Sequence, residues 1–175
     1  MTQANTQTTA VAKTIKVQSV RPCLTFKERG EEAVNFYVSV FPNSRVVSIL
    51  RSDGNGPLPK GSLWHASFLL DGQEYTAFDG GPSFGFSEAF SLVATGETQA
   101  ELDEIWARLT EGGGEEGPCG WLKDRFGVSW QVVPAALGQM MSDPKSGSPA
   151  KMMEALLKMR KLDIATLERA YRSGV

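Results

Sequence analysis

A repeated order of secondary-structure elements is the feature of this sequence that most constrains its fold. The order strand, helix, strand, strand, strand is predicted from about Val17 and begins again at Ala89. In the first copy, Arg45–Arg51 is a strong β-strand pattern and Asp71-Gly72 is a favoured two-residue hairpin turn. In the second copy, Thr98–Glu101 is a capping-box sequence that begins a helix. The repeat predicts an α+β domain made of two tandem βαβββ modules.

The expected domain organisation has three parts. Residues 1–16 are polar and threonine-rich, and we expect them to form a disordered tail. Residues 17–134 contain the paired modules, which extend over about 17–80 and 88–134. Residues 135–175 are expected to form a helical extension, in which Ser148-Pro149 and Asp163 begin helices. The Met- and Leu-rich stripe of this extension favours packing on the sheet or on a second subunit.

Composition excludes several classes of partner. The formal net charge is −2 and the basic residues are dispersed, which argues against nucleic acid. The only cysteines, Cys23 and Cys119, have no metal-like spacing, and this is typical of a reducing compartment. No apolar run has the length of a signal peptide core or a membrane span, so we expect a cytoplasmic protein without a membrane partner.

Several short segments follow one another in a characteristic order. They are Glu32–Tyr37, Phe41–Ser44, Leu70–Glu74, Gly80–Pro82, Cys119–Asp124, Phe126–Gln131 and Met159–Tyr171. In this order they resemble the PhnB-like branch of the vicinal oxygen chelate (glyoxalase/bleomycin resistance/dioxygenase) superfamily. Members of that branch often carry the name 3-demethylubiquinone-9 3-methyltransferase. The resemblance implies that each module curls into a half-barrel, that a cavity lies between modules, and that the protein is a homodimer.

The resemblance also identifies the positions where metal-using relatives, such as glyoxalase I and extradiol dioxygenases, hold a divalent ion. Such an ion stabilises the charge that develops on two adjacent substrate oxygens. In this chain the first of those positions holds Arg21 or Pro22, and the second holds Phe78 or Asp79. The third holds Ser91, and the fourth holds Gln131 where relatives have Glu. Metal sites of this kind need His and carboxylate ligands, and arginine is a permanent cation. We therefore expect neither a catalytic metal nor another cofactor.

A small-molecule site is predicted at the same positions. The guanidinium of Arg21 and the amide of Gln131 can hold a carboxylate or phosphate by charge-assisted hydrogen bonds. The alternative is that Arg21 is paired with an internal acid. The predicted ligand-binding residues are Arg21, Cys23, Phe78, Ser91 and Gln131.

The segment between the modules contains two aromatic residues among glycines, Phe84 and Phe86. We expect them to form a lid over the cavity, and the alternative is a dimer contact.

His65 is the only histidine and is a candidate acid/base, because its intrinsic pKa suits proton transfer near neutral pH. The alternative is a partly buried strand residue with one hydrogen bond. Strand alternation places His65 on the same face as Ser67, so the orientation of that face decides between the two. Cys23 and Cys119 have no evident base or cation nearby, which favours structural thiols.

These observations predict a protein that binds a small molecule, with anions as one suitable class, and they leave open whether it is catalytic. One alternative is a divalent-metal-dependent lyase or dioxygenase of the glyoxalase type. Another is a non-catalytic resistance or sequestration protein. The methyltransferase name is not supported by the sequence, since no strand is followed by a glycine-rich turn and helix suited to S-adenosylmethionine.

Overall fold

The structure, a computed structural model, describes residues 19–173 and contains eight strands and five helices in that range. The first module consists of β1 (Cys23–Phe26), α1 (Gly30–Val40), β2 (Arg45–Arg51), β3 (Leu63–Leu70) and β4 (Gln73–Asp79). The second consists of β5 (Leu92–Gly96), α2 (Gln99–Thr110), β6 (Glu115–Glu116), β7 (Trp121–Lys123) and β8 (Ser129–Pro134). The chain continues through α3 (Leu137–Ser142), α4 (Pro149–Leu156) and α5 (Ile164–Arg172). The predicted α+β fold is confirmed, whereas the predicted tail over 1–16 lies outside the described residues.

The two sheets have the same topology, which is the structural form of the sequence repeat. The strand orders are β1-β4-β3-β2 and β5-β8-β7-β6. In each sheet the first strand of the module runs parallel to the last, and the remaining pairs are antiparallel. The hairpin between β3 and β4 turns at Asp71 and Gly72, whose φ angles are 46° and 77°. Two consecutive positive φ angles are what a type I′ turn requires, so the local sequence sets this register.

Helix α2 begins at the predicted capping box. The Thr98 hydroxyl accepts from the backbone N–H of Glu101, and the Glu101 carboxylate accepts from the N–H of Thr98 at 2.9 Å and of Glu97 at 2.8 Å. Ser148 and Asp163 likewise cap α4 and α5, as their positions predict.

Helix α1 begins differently, at a carboxylate from the far end of the module. Asp79 accepts from the backbone N–H of Gly30 at 2.8 Å. A Cβ atom at Gly30 would lie 2.7 Å from the Asp79 Oδ1, so the close approach requires glycine.

Helix α1 lies between the two sheets and forms the centre of the core. Ala33 and Val34 are fully buried, and α1 packs on β3 and β4 of its own module. On its other side, Tyr37 contacts Trp130 of β8 with ring centroids 5.4 Å apart, and its hydroxyl donates to Asp124 at 2.8 Å. The helix-facing sides of both sheets therefore point towards α1, and their opposite sides, which we call the open faces, point away from it.

The C-terminal helices form a second, smaller core of their own, composed of Met140, Met152, Leu156, Leu162, Leu167 and Tyr171. This extension is joined to the second module through backbone hydrogen bonds from Cys119 to Met159 and from Gly120 to Arg160. The side chain of Gln99 accepts from Ile164 N–H at 2.9 Å. The extension thus closes one end of the second sheet. No helix in residues 19–173 is long and apolar enough to cross a membrane.

Candidate functional site

Three polar side chains form a row on the open face of the second sheet. Gln131 Nε2 donates to the Ser91 hydroxyl at 2.9 Å. Ser129, two residues before Gln131 on β8, lies on the same face by strand alternation. Its side chain is only 2% exposed, and its Oγ has no hydrogen-bond partner within residues 19–173. Because burying an unpaired hydroxyl costs about 1–3 kcal/mol, this atom marks a place where a polar partner would be stabilising.

The connector between the modules crosses this end of the open face. Lys123 is opposite Ser129 in the β7–β8 register, so both side chains share a face. The Lys123 ammonium forms an ion pair with Glu88 of the connector at 2.6 Å. This pair brings the connector over the start of β8, next to the buried Ser129 hydroxyl.

Four side chains of β1 and β4 lie together on the open face of the first sheet. Cys23 and Thr25 of β1 are paired with Thr76 and Phe78 of β4. Cys23 is exposed and Phe78 is half-buried. This surface is small and mixed in polarity, with a thiol, two hydroxyls and one aromatic ring.

Arg21 lies just before β1 and is held by neighbouring side chains. Its guanidinium donates to the carboxylate of Glu74 and to the hydroxyl of Ser19. Ser67 also donates to Glu74, at 3.2 Å. The Arg21 guanidinium is therefore paired with an acid of its own chain, which is the alternative that the sequence left open. An incoming anion must compete with Glu74 for this guanidinium.

The five predicted ligand-binding residues therefore fall into two groups. Arg21, Cys23 and Phe78 belong to the first sheet, whereas Ser91 and Gln131 belong to the second. The two open faces lie on opposite sides of α1, so one chain does not bring the groups together. Sequence reasoning missed Ser129, although its alternation with Gln131 along the predicted strand was a usable signal.

Asp79, the best metal ligand among the predicted positions, is directed away from the open face. Its carboxylate is buried and accepts from the backbone N–H of Gly30 and of Leu63, each at 2.8 Å. Within the described range 19–173, no group of three or more His, Cys, Asp or Glu side chains could hold a metal ion. The polar row and the β1–β4 surface offer hydroxyls, an amide and one thiol, and these donors do not fit the divalent ion of metal-using relatives.

His65 and Cys119 lie apart from the polar row. His65 is half-buried and opposite Leu50 in the β2–β3 ladder, while Ser67 is opposite Ser48, so His65 and Ser67 share the open face of the first sheet. Cys119 is half-buried with a φ of 59° and contacts the core of the C-terminal extension. Its position favours a structural role for this thiol.

The two aromatic residues of the connector have different environments. Phe84 is 47% exposed and lies against Gly80, where an added Cβ would be 2.6 Å from both Phe84 and Thr25. It thus lies at the end of the first open face. Phe86 is half-buried and packs edge-on against Phe26 with ring centroids 5.2 Å apart. Phe84 is therefore the better placed of the two to cover a bound molecule.

Comparison with known proteins places this geometry in a family. The sequence profile described as 3-demethylubiquinone-9 3-methyltransferase matches residues 18–133. A solved protein from Bacillus cereus is 39% identical to this chain, with a TM-score of 0.62. It is described as a PhnB protein and is provisionally named 3-demethylubiquinone-9 3-methyltransferase. The match covers 67% of this chain and 100% of that protein. The profile ends at β8, so α3–α5 lie beyond the matched region.

More distant structures share the fold. A solved protein from Pseudomonas aeruginosa is 24% identical, with a TM-score of 0.56 over 67% of this chain and 98% of its own. The fosfomycin resistance protein FosX from Mesorhizobium loti is 14% identical, with a TM-score of 0.52 over 73% of this chain and 100% of its own. No curated protein is significantly similar in sequence to this chain.

Proposed function

Because the chain belongs to the 3-demethylubiquinone-9 3-methyltransferase family of PhnB-like proteins, we propose that it binds a small polar molecule, preferably an anion, on its open faces. The observation that carries this proposal is the buried and unpartnered hydroxyl of Ser129 beside the Ser91–Gln131 pair. Hydroxyl and amide N–H groups donate well to carboxylate or phosphate oxygens.

The binding cavity is completed by a second copy of the chain. Since the two open faces of one chain point away from each other, the polar row can meet Arg21 and Phe78 only across an interface. A homodimer that joins the first sheet of one copy to the second sheet of the other brings the two predicted groups together. Phe84 then lies at the edge of the cavity as a partial lid.

The proposed binding requires no metal. The amide of Gln131 is a weak metal ligand, and the carboxylate of Asp79 already accepts two backbone hydrogen bonds. Methyl transfer is not part of the proposal, because the two separate βαβββ sheets are unlike the parallel, doubly wound sheet that binds nucleotide cofactors.

The proposal is tested by titrating the full chain with benzoate and, separately, with inorganic phosphate, observed by ¹H–¹⁵N NMR. We expect one of the two anions to shift the side-chain amide of Gln131. We expect Gln131→Ala to weaken that binding about tenfold or more, since hydrogen bonds to charged groups contribute about 1.5–3 kcal/mol. Gln139→Ala, in the exposed part of α3, is the matched control and should bind like the parent.

Three results contradict the proposal. The first is that neither anion shifts Gln131, and the second is that Gln131→Ala binds as tightly as the parent. The third is a stoichiometric divalent metal in elemental analysis of the purified protein, which supports the glyoxalase-type alternative.

A further inference from the structure

A cavity lies in a groove between the two modules, beside the first residues of the second sheet. Its volume is about 520 Å³, within the range of small-molecule sites. Its walls are the C-terminal end of α1, the β3–β4 turn, strand β5 and one side of α2. None of the residues proposed to bind a ligand on the open faces lines it.

The floor of this groove is aromatic. Phe41 stacks on Trp130 with ring centroids 5.2 Å apart and an interplanar angle of 23°. Tyr75 stacks in turn on the buried Phe68 at 5.6 Å. Ile105 of α2 adds an aliphatic wall. An apolar or aromatic body would therefore find a preformed surface here.

The rim of the groove is acidic. Asp71, Glu97 and Glu104 line it, and within residues 19–173 none of their carboxylates forms an ion pair or a hydrogen bond. The single cation of the lining, Arg108, donates instead to the backbone carbonyl and hydroxyl of Ser39, at 3.1 and 3.2 Å. With Glu101, whose carboxylate caps α2, the lining holds four carboxylates and one guanidinium, so it carries a net negative charge.

A buried hydroxyl also faces this groove. Tyr75 is only 8% exposed, and its hydroxyl has one contact, a long 3.5 Å approach to the Gln73 side chain. Burial raises the pKa of Tyr75, so the hydroxyl keeps its proton at neutral pH and offers both a donor and an acceptor.

From this complementarity we propose that the groove binds a small organic cation with an aromatic or apolar body. Ammonium or guanidinium groups are attracted by the acidic rim and by the faces of aromatic rings. An anion of the same shape is repelled by the rim, and a neutral analogue gains only the apolar contact. The site is independent of the proposed anion site, because the two have opposite charge preferences and share no residue.

The test compares three probes of one shape, phenethylammonium, 2-phenylethanol and 3-phenylpropionate, titrated into the full chain by ¹H–¹⁵N NMR. We expect phenethylammonium to bind most tightly, to shift the backbone amides of Leu92–Thr95, and to weaken as salt is added. Glu104→Gln should weaken it about two- to fivefold, the effect of removing one exposed charge partner. Glu154→Gln, which removes the same charge from the exposed side of α4, should leave the affinity unchanged.

Gln131→Ala should also leave phenethylammonium binding unchanged, which separates this site from the open faces. The inference is overturned if no probe shifts Leu92–Thr95 or if 3-phenylpropionate binds as tightly as phenethylammonium. It is equally overturned if Glu104→Gln has no larger effect than Glu154→Gln.

Discussion

At the scale of single residues, Asp124 joins the two modules. Its carboxylate accepts from the Tyr37 hydroxyl and the Trp130 indole N–H, both at 2.8 Å, and from the backbone N–H of Phe126 and Val128. Burial raises the pKa of Asp124, and the hydrogen bonds from Trp130 and Tyr37 act against that rise. Burial also raises the pKa of Tyr37 well above its usual value, so the tyrosine remains a donor.

Asp124→Asn is expected to destabilise the protein by about 2–3 kcal/mol, because the new amide presents N–H groups to donors that then lose their acceptor. Urea unfolding measures the change. Asp53→Asn, in an exposed loop, is the control and should remain within about 0.5 kcal/mol of the parent. Equal stability of the two variants would show that Asp124 does not join the modules.

The pairing of Arg21 with Glu74 makes a second residue-scale prediction. If Arg21 is an anion anchor, Glu74→Gln removes its competitor and should strengthen benzoate binding about two- to fivefold, as expected for an exposed ion pair. Isothermal titration calorimetry measures the change. In Arg21→Ala/Glu74→Gln the gain should disappear, and a gain that persists in the double variant would exclude Arg21 as the anchor.

The candidate site was only partly predictable at this scale. Residue types identified Gln131 and Ser91, which the structure joins by a hydrogen bond. The role of Asp79 was not predictable, because it depends on a contact with Gly30, which is distant in sequence. The burial of Ser129 likewise depends on where the connector crosses the sheet. Periodicity gives the face of a side chain but not what covers that face.

At the scale of elements, local chemistry predicted the helix starts and the tight turn. Thr98, Ser148 and Asp163 all cap helices as expected, since a cap needs only residues within one turn. Strand ends were less predictable. Strand β6 ends at Glu116 and does not continue to Cys119, because the Cys119 N–H bonds to Met159 of the extension instead of to a neighbouring strand.

The capping box predicts a pH-dependent contribution from α2. Hydrogen bonds from the N–H groups of Thr98 and Glu97 lower the pKa of Glu101 in the folded protein. Because the pKa of Glu101 is lower in the folded protein, the unfolded state binds the proton more readily. The carboxylate therefore contributes its full stabilisation above the usual glutamate pKa of about 4.3. This contribution is lost as the pH falls through the lowered pKa of the folded protein.

Glu101→Gln should therefore be less stable than the parent at pH 7, and the difference should shrink towards about pH 3. Urea unfolding at a series of pH values measures it. Glu154→Gln, which removes an exposed carboxylate from α4, is the control for the loss of one glutamate charge. If the free energy of unfolding of the parent exceeds that of Glu101→Gln by the same amount at every pH, the capping role of the carboxylate is contradicted.

At the scale of the whole molecule, the position of α1 determines what the sheets can do. The repeat predicted two modules, and the structure has them, but the amphipathic pattern of α1 does not indicate that the helix covers two sheets at once. Phe36 and Tyr37 contact the second module while Ala33 and Val34 fill the core. Both open faces are consequently left outward, and β1 and β5 are edge strands.

Apolar side chains remain exposed on this outer surface. Val93 on β5 is 58% exposed and lies opposite Gln131 in the second sheet. Leu50 on β2 is also 58% exposed and lies opposite His65 in the first sheet. Exposed apolar side chains next to unpaired strand edges favour association, because association removes both from water. The same association would bring Gln131 of one copy near Arg21 of the other.

We therefore expect the parent protein to have the mass of two chains in sedimentation equilibrium, and Val93→Glu to have the mass of one, because the new carboxylate would be buried without a partner at the interface. Leu157→Glu is the matched control, since Leu157 is 64% exposed at the C-terminal cap of α4 and should not affect assembly. If the cavity forms between copies, Val93→Glu should also lose benzoate binding. A monomeric parent, or a Val93→Glu variant that remains dimeric and binds benzoate normally, would place the anion site within a single chain.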